Sequence, residues 1–380
     1  MPYATGRTFF DADSHVMELP DWLRSYADPG IRERIRPLHL GGAGALAEAA
    51  VREAESRRGD QHAVERLEAN VMSEKGWHAL GAFDAQERTR ALDLLGFDAQ
   101  LVFSTFAATQ FTGDDVELLY GGSRAHNRAM VAFCEHDPRL VPVGFVPLDD
   151  HELAAATLDE ALDIGCRAIL VPSAPPRAKS PTHPDYGPIW ARLDESRVPF
   201  MLHVGGGGRP LRRQWHDNGK PVTDFLGGGE NIRSKDFMVL HNPPETFLAC
   251  MALDGIFEDF PNLRGGCIEQ GAMWVVTLLR RLDIAQDTFQ RTEPALKLPL
   301  RASEYLRRQV KFTPFPTEPV GWMIDQAGDE LFMFSSDYPH PEGGRDPLAR
   351  FEASLAGVGE AAKERFYSGN FADLMGMVPR

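Results

Sequence analysis

Apolar segments of strand length alternate with amphipathic helical segments along most of the chain, and this alternation restricts the fold more than any other feature. Eight apolar runs have strand character, at 8–12, 99–104, 140–146, 167–171, 199–203, 264–268, 310–313 and 331–335. Helical patterns lie between them, as at 85–96, 152–164 and 271–286. Continuous apolar strands separated by helices are typical of a parallel sheet covered on both faces. Eight such units in 380 residues predict an α/β fold, a (β/α)8 TIM barrel, rather than an open doubly wound sheet.

The chain is predicted to form one domain, residues 1–380, with two insertions into the barrel. An Ala-rich helical stretch at about 30–84 does not fit the barrel repeat. A glycine-rich, charged segment at about 204–240 directly follows the fifth strand. A loop of this length is typical either of a cover over a functional site or of a simple surface excursion.

Composition limits the classes of partner that the protein is expected to bind and the cellular compartment in which it is expected to work. A formal net charge of −15 argues against binding to nucleic acid or to an anionic membrane surface. No apolar run is long enough for a membrane span, and the N-terminus lacks a signal-peptide core, so we predict a cytoplasmic protein that acts on a small molecule. The four cysteines are scattered, which predicts buried free thiols rather than a zinc–thiolate site.

Ionisable side chains gather where the predicted strands end. In a barrel the carboxyl ends of all strands meet at one face, so such residues converge on one point. Taken singly, an aspartate here is more often a helix cap or turn residue, and a histidine is more often structural. Taken together, imidazoles and carboxylates predict a metal site for zinc, manganese or iron. Seven residues form this predicted site: Asp13, His15, His203, His241, Glu269, Asp337 and His340.

Five motifs resemble the amidohydrolase superfamily, and specifically the amidohydrolase-2 branch that includes aminocarboxymuconate semialdehyde decarboxylase. They are DADSH at 11–15, FMLHVG at 200–205, GIFEDFPNLRGGCIEQGAMW at 255–274, FSSDYPHPEG at 334–343 and the closing FYSGNFADLMGM. The resemblance spans nearly the whole chain and implies the TIM-barrel fold. It implies that Asp13 and His15 form the metal-binding pair of the first strand, with Asp11 in support. It also implies a homodimer.

The chain departs from the decarboxylases of this branch at four positions. Those enzymes carry His-x-His or Glu-x-His on the first strand, whereas this chain has Asp-x-His at 13–15. They carry a proton-supplying histidine after the sixth strand, where this chain has Glu269. Their final motif reads DYPFP, where this chain has His340, and they have no ligand at the position of His241.

Seven ligands are too many for one ion with an open coordination position, so we predict two ions about 3.5–4 Å apart. Lysine is absent from the fourth strand, which leaves Glu269 or Asp337 to bridge the ions. This ligand set is similar to that of the non-haem diiron and iron–manganese hydroxylases on an amidohydrolase-type barrel. The resemblance makes an O2-dependent monooxygenase, with Fe/Fe or Fe/Mn and an apolar substrate, the leading hypothesis. Its expected catalytic residues are His241, Glu269 and Asp337.

Three alternatives remain open. A metal-bound hydroxide could hydrolyse an amide, ester or lactone, with Asp337 taking the proton. A single zinc or manganese ion could instead hold a substrate carboxylate for non-oxidative decarboxylation, with His241 replacing the missing histidine. A metal-free barrel could serve as a binding module, in which case Asp13 and His203 would tolerate alanine.

Overall fold

A computed structural model describes residues 2–38, 44–57, 60–208, 211–220 and 234–377. Seven strands form one parallel sheet and pair strictly in chain order. Short apolar segments rich in β-branched and aromatic residues favour this state. The strands are β1 (Phe10–Val16), β2 (Ala99–Ser104), β3 (Leu140–Phe145), β4 (Ala168–Leu170), β5 (Phe200–His203), β6 (Gly265–Ile268) and β7 (Val310–Phe312).

The eighth predicted strand is not part of the hydrogen-bonded ladder, but it closes the barrel. We call residues 331–338 the closing segment. It makes isolated bridges to both sides, pairing Phe332 with Phe312 of β7 and Tyr338 with Ser14 of β1. Backbone hydrogen bonds reinforce it, including one from Ala12 N to Phe334 O at 3.1 Å. The predicted (β/α)8 TIM barrel is therefore confirmed, with a seam between its last and first strands.

Strand β1 is longer than predicted and contains Asp13 and His15, which were expected just beyond its end. Its pairing with β2 shifts register between Asp11 and Ser14, so that three steps on β1 oppose two on β2. Such a bulge changes which side chains face inward. Ala12 packs in the interior cluster. After the register shift His15 pairs with Phe103, whose side chain also lies in that cluster. The bulge therefore turns Asp13 and His15 into the barrel.

Helices cover the outside of the barrel, and several begin at an aspartate that accepts hydrogen bonds from the first-turn N–H groups, as Asp84 and Asp150 do. The predicted helix at 271–286 instead begins at Val275, because residues 270–274 form a turn after Glu269. The helices are α1 (Trp22–Tyr26), α2 (Pro29–Arg32), α3 (Gly44–Arg57), α4 (Gln61–Ala69), α5 (Ala85–Leu95), α6 (Val116–Cys134), α7 (His151–Asp163), α8 (Gly187–Ser196), α9 (Ser234–Phe237), α10 (Asn242–Leu253), α11 (Ile256–Asp259), α12 (Val275–Phe289), α13 (Ala302–Gln309), α14 (Val320–Ala327), α15 (Pro347–Ser354), α16 (Glu360–Glu364) and α17 (Asn370–Met375).

Two apolar clusters pack on opposite faces of the sheet. Alternate strand residues such as Leu101, Val143 and Met201 point into the barrel, and α17 adds Phe371, whose ring lies 5.2 Å from that of Phe10. Residues of the opposite parity pack against the outer helices. This alternation is the expected consequence of the two-residue period of a strand. The packed interior leaves the polar strand ends at one face to form a site.

The two insertions are described only in part. In the first, the Ala-rich stretch forms α3 and α4, while residues 39–43 and 58–59 lie outside the described residues. In the second, residues 209–210 and 221–233 lie outside them. All four cysteines carry free thiols, and none of the described helices is long and apolar enough to cross a membrane.

Candidate metal centre

Six of the seven predicted ligands come together at the carboxyl ends of the strands. Asp13 and His15 lie on β1, and His203 is the last residue of β5. Glu269 directly follows β6. All six side chains are buried, although they are charged or polar, and four strand ends contribute to the cluster. The two remaining members, Asp337 and His340, lie at and just beyond the end of the closing segment.

The first group of candidate ligands consists of Asp13, His15, His203 and Glu269, whose ligand atoms lie within 4.8 Å of one another. The Oδ1 atom of Asp13 lies 3.2 Å from Nε2 of His15 and 3.4 Å from Nε2 of His203. His203 Nε2 also lies 3.5 Å from Oε2 of Glu269. Nδ1 of His203 faces the backbone oxygen of Val204 at 3.2 Å, which leaves Nε2 for the ion.

The second group consists of His15, Glu269, Asp337 and His340, again with ligand atoms within 4.8 Å. Oδ1 of Asp337 lies 3.0 Å from Nδ1 of His340 and 3.4 Å from Nε2 of His15. The two imidazole rings stack with centroids 3.8 Å apart. Because His15 and Glu269 belong to both groups, the cluster has the donors for two adjacent metal positions with shared ligands.

Buried polar atoms without hydrogen bonds support a metal at this cluster. Among the described residues, both ring nitrogens of His15 and both carboxylate oxygens of Asp337 are buried and make no hydrogen bond of good geometry, and their contacts at 3.0–3.4 Å are with other candidate ligands. Unsatisfied buried polar groups are costly and rare, and an ion would satisfy them. Imidazole and carboxylate donors together suit zinc, manganese or iron. The residues therefore fit a divalent metal.

The electrostatics of the cluster follow from burial and from close opposite charges. Burial, and next the neighbouring His340, lowers the pKa of His15 to about 4, so His15 is neutral at pH 7. Burial raises the pKa of Asp13, but the adjacent His15 and His203 outweigh it and the net shift is downward. Burial lowers the pKa of His340, but Asp337 and other carboxylates outweigh it and raise the pKa to about 9.

Metal binding at the second group is expected to strengthen as the pH rises. In the metal-free protein His340 is protonated below about pH 9, and it must lose that proton to bind an ion. The apparent affinity should therefore increase about tenfold per pH unit between about pH 6 and about pH 8. Calorimetric titration with Mn²⁺ in buffers of different ionisation enthalpy should detect about one proton released. Equal affinities at the two pH values would contradict this assignment.

Two of the candidate ligands have unusual backbone conformations. Glu269 and Asp337 have φ angles of 53° and 54°, in the left-handed region that non-glycine residues rarely adopt. The Glu269 N–H donates to Thr313 Oγ1 at 2.9 Å, and the Asp337 N–H donates to Asp13 O at 3.0 Å. These bonds hold the strained residues in place. Strain of this kind is concentrated at functional sites.

Asp11 supports the cluster from the side of the barrel seam. Its carboxylate accepts hydrogen bonds from Ser336 N at 2.7 Å, Ser336 Oγ at 2.6 Å and Gln100 Nε2 at 2.7 Å. Burial raises the pKa of Asp11 to about 7, although these hydrogen bonds act in the opposite direction. Asp11 thereby fixes the residue that precedes Asp337.

Removing the Asp11 carboxylate is expected to destabilise the protein strongly. Asp11→Ala leaves Ser336 N and Gln100 Nε2 buried without a partner, which costs about 2–3 kcal/mol of unfolding free energy. Asp11→Asn should cost less, because the Gln100 amide can flip and the Ser336 hydroxyl can accept. Denaturant unfolding of both variants measures the difference. Equal losses for the two variants would contradict this explanation.

Several supporting residues were not predicted from the sequence. Arg88 is fully buried, donates a hydrogen bond to the backbone oxygen of His15 and lies 5.1 Å from the Tyr338 ring centroid. Glu18 and Thr105 hold the turn after β2, and Thr105 contacts His340 at 2.9 Å. Thr105 follows the end of β2, so the strand-end rule could have identified it. No sequence signal marks the buried Arg88.

His241 belongs to neither ligand group. It precedes α10, and its ring stacks on Trp274 with centroids 5.7 Å apart. Its Nε2 lies 3.8 Å from a carboxylate oxygen of Glu245. Burial lowers its pKa. Its roles as a ligand and as a catalytic residue therefore stay predictions.

A cavity opens onto the carboxylates of the cluster. Part of its lining is apolar and belongs to the segment after β7. The lining residues are Asp13, Glu269, Thr313, Pro314, Phe315, Pro316, Ser335, Asp337 and Glu342.

Comparison with known proteins agrees with this architecture. The family profile described as Amidohydrolase matches residues 11–376, which is nearly the whole chain. The chain belongs to the amidohydrolase family. The predicted resemblance to the amidohydrolase-2 branch is thereby confirmed. A search of curated proteins found no match to this amidohydrolase.

Solved structures share the fold at low sequence identity. An amidohydrolase from Mycobacterium avium subsp. paratuberculosis is 22% identical, with a TM-score of 0.75, covering 98% of this chain and 100% of that one. The 5-carboxyvanillate decarboxylase from Sphingomonas paucimobilis is 19% identical, with a TM-score of 0.62, covering 98% and 100%. A dihydroxybenzoic acid decarboxylase from a Polaromonas species, with bound manganese and 2-nitroresorcinol, is 17% identical, with a TM-score of 0.64, covering 98% and 97%.

Proposed function

We propose that this amidohydrolase is a metal-dependent carboxy-lyase that removes CO2 from a small unsaturated or aromatic carboxylic acid without an oxidant. The observation that carries the proposal is Asp337, a buried carboxyl group that lines the cavity and lies 3.0 Å from Nδ1 of His340. Such a group, beside a cluster that fits a metal, can move a proton at the reacting carbon. The decarboxylases among the structural neighbours support the same reaction class.

The residues of the site have two roles in the proposed reaction, which are substrate binding and proton transfer. The first ligand group would hold the metal, which when bound would supply a Lewis acid for the substrate carboxylate, and the second group offers a further position. Phe315 and the adjacent prolines offer an apolar wall to the rest of the substrate. As the carbon–carbon bond to the carboxylate breaks, its electron pair stays on the ring or chain carbon. That carbon takes a proton from the protonated carboxyl form of Asp337, CO2 leaves, and the Asp337 carboxylate regains a proton from solvent through the cavity that it lines.

Asp337 is the preferred proton source because Glu269 occupies the position at which the related decarboxylases carry a histidine. Glu269 belongs to both ligand groups, so metal coordination would occupy its carboxylate. Asp337 belongs to the second group only, so it can carry a proton when an ion occupies the first group alone, and like Glu269 it lines the cavity. The departure from the family pattern thus changes the expected proton donor but leaves the reaction feasible.

A hydrolase is the second candidate, and the overlap of the two ligand groups favours it. Two adjacent ions with shared ligands suit activation of water for attack on an amide, ester or lactone. The oxygen-dependent hydroxylation expected from the sequence has no support among these relatives, and neither does iron. Manganese, which several of the decarboxylase structures contain, is the ion we propose.

The test is a substrate panel with the product analysed. Protein loaded with Mn²⁺ would be incubated with 2,6-dihydroxybenzoate, 5-carboxyvanillate and other carboxylated phenols, and with matched amides, esters and lactones. The carboxy-lyase proposal expects release of CO2 and, in D2O, one deuterium on the carbon that lost the carboxyl group. Turnover of the amides, esters or lactones without CO2 release would overturn it in favour of hydrolysis.

A further inference from the structure

Thr105 connects the turn after β2 to the second ligand group. Its hydroxyl oxygen lies 2.9 Å from Nε2 of His340 and 2.8 Å from the backbone oxygen of Val16. Neither neighbour is exposed: Val16 and His340 are both buried. The hydroxyl therefore joins β1 to the turn that follows the closing segment.

The hydrogen-bond donors at this contact can be assigned from chemistry alone. A threonine hydroxyl has one proton, and a carbonyl oxygen can only accept. The proton of Thr105 is therefore given to Val16 O, and the Thr105 oxygen accepts from His340. Nε2 of His340 must then carry a proton, so Nδ1 is the nitrogen left to bind a metal. This is the nitrogen that lies 3.0 Å from Asp337 Oδ1.

Glu18 holds Thr105 rigidly in this position. The buried Glu18 carboxylate accepts hydrogen bonds from the backbone N–H groups of Thr105 at 2.8 Å, Phe106 at 3.0 Å and Ala107 at 3.0 Å. Three successive N–H groups on one buried carboxylate fix the backbone of the turn. The backbone that carries the Thr105 side chain is therefore held in place from within the protein.

We propose that Thr105 is a positioning residue that keeps a proton on Nε2 of His340 and thereby assigns Nδ1 to the metal. His203 is oriented in the opposite sense, because its Nδ1 faces the Val204 oxygen at 3.2 Å and its Nε2 faces the carboxylates. The two metal positions thus use different nitrogens. This inference rests on the metal dependence in the proposed function and is independent of which reaction the enzyme performs.

The principal test compares Thr105→Val with Thr105→Ser. Valine keeps the shape but removes the acceptor, so His340 Nε2–H loses its partner, whereas serine keeps the hydroxyl. Competition with a chromophoric chelator would measure Zn²⁺ and Mn²⁺ affinities. We expect Thr105→Val to weaken one metal position about 10–100-fold, and Thr105→Ser to retain wild-type affinity within a few-fold.

A matched control comes from the same turn. Thr109 Oγ1 donates to Phe106 O at 2.7 Å and belongs to neither ligand group. Thr109→Val should therefore leave both affinities unchanged. Unchanged affinities in Thr105→Val, or equal weakening in the Thr105→Val, Thr105→Ser and Thr109→Val proteins, would overturn the proposal.

A second measurement reads the histidine ring nitrogens of the wild-type protein directly. Long-range ¹H–¹⁵N spectra of histidine-labelled wild-type protein loaded with Zn²⁺ distinguish protonated from metal-bound ring nitrogens. The His340 signal, identified by its loss in His340→Asn, should show the proton on Nε2. A proton on Nδ1 would overturn the inference. Both tests read metal binding, so a missing carboxy-lyase activity would refute the proposed function and leave this result intact.

Discussion

A His15→Asn protein is expected to lose metal binding at both ligand groups and at least about 10³-fold of its activity. His15 is the one histidine that belongs to both ligand groups, and both of its ring nitrogens are buried without a hydrogen bond. Asparagine fills part of the space but has no imidazole nitrogen. Elemental analysis of protein purified from manganese-supplemented cells would give the ions per chain.

Two variants serve as comparisons for this loss. His340→Asn removes a member of the second group only, so it should retain the ion expected at the first group. His136 is exposed and lies in neither group, so His136→Asn should keep the full complement. If His15→Asn binds as much metal as the wild type, the shared-ligand arrangement is wrong.

An Asp337→Asn protein is expected to retain substrate binding but lose about 10²–10⁴-fold in kcat, the usual contribution of a general acid. Asparagine has nearly the same shape and tolerates the left-handed backbone that Asp337 adopts at a φ of 54°. It cannot release a proton to carbon. The first ligand group is unaltered, so at least one ion should remain. Steady-state kinetics of CO2 release, with metal content measured on the same sample, would test this.

Comparing the changes in kcat and KM distinguishes a general acid from a simple metal ligand at position 337. A general acid affects kcat with little change in KM, whereas a simple ligand would lower activity in proportion to lost metal. Asp337→Ala is a poorer choice, because alanine adds backbone strain at this φ. Full activity at full metal content would exclude Asp337 as the proton donor.

The sequence was sufficient to predict the barrel because the two patterns that indicate it, apolar strand segments and helical periodicity, are both local. Apolar runs and helical periodicity are read over a few residues, and β2 was predicted with its observed bounds. The ends of β1 were misjudged because polar Asp13 and His15 look like loop residues, and only the bulge against β2 turns them into the interior. The closing segment was apolar enough to be predicted as a strand, but it forms only isolated bridges.

The sequence was sufficient to predict the candidate ligands and the supporting residue Asp11, but not the other supporting residues. Strand-end position identified six side chains that the fold brings together, because topology alone carries strand ends to one face. His241 follows an insertion rather than a strand end, so no such rule located it. Arg88 and Glu18 act through backbone groups distant in sequence, and those hydrogen bonds exist only after folding.

A metal bound at the second ligand group would also link the two ends of the chain, because this group lies across the seam of the barrel. The second ligand group takes His15 from the first strand, and Asp337 and His340 from the far end. A bound ion is thus a reversible cross-link that encloses most of the polypeptide in one loop, and closing long loops gives the largest reduction in unfolded-state entropy. The seam has few backbone bridges of its own. Chelation should therefore open the molecule first between its two ends, with amide exchange fastest along this edge.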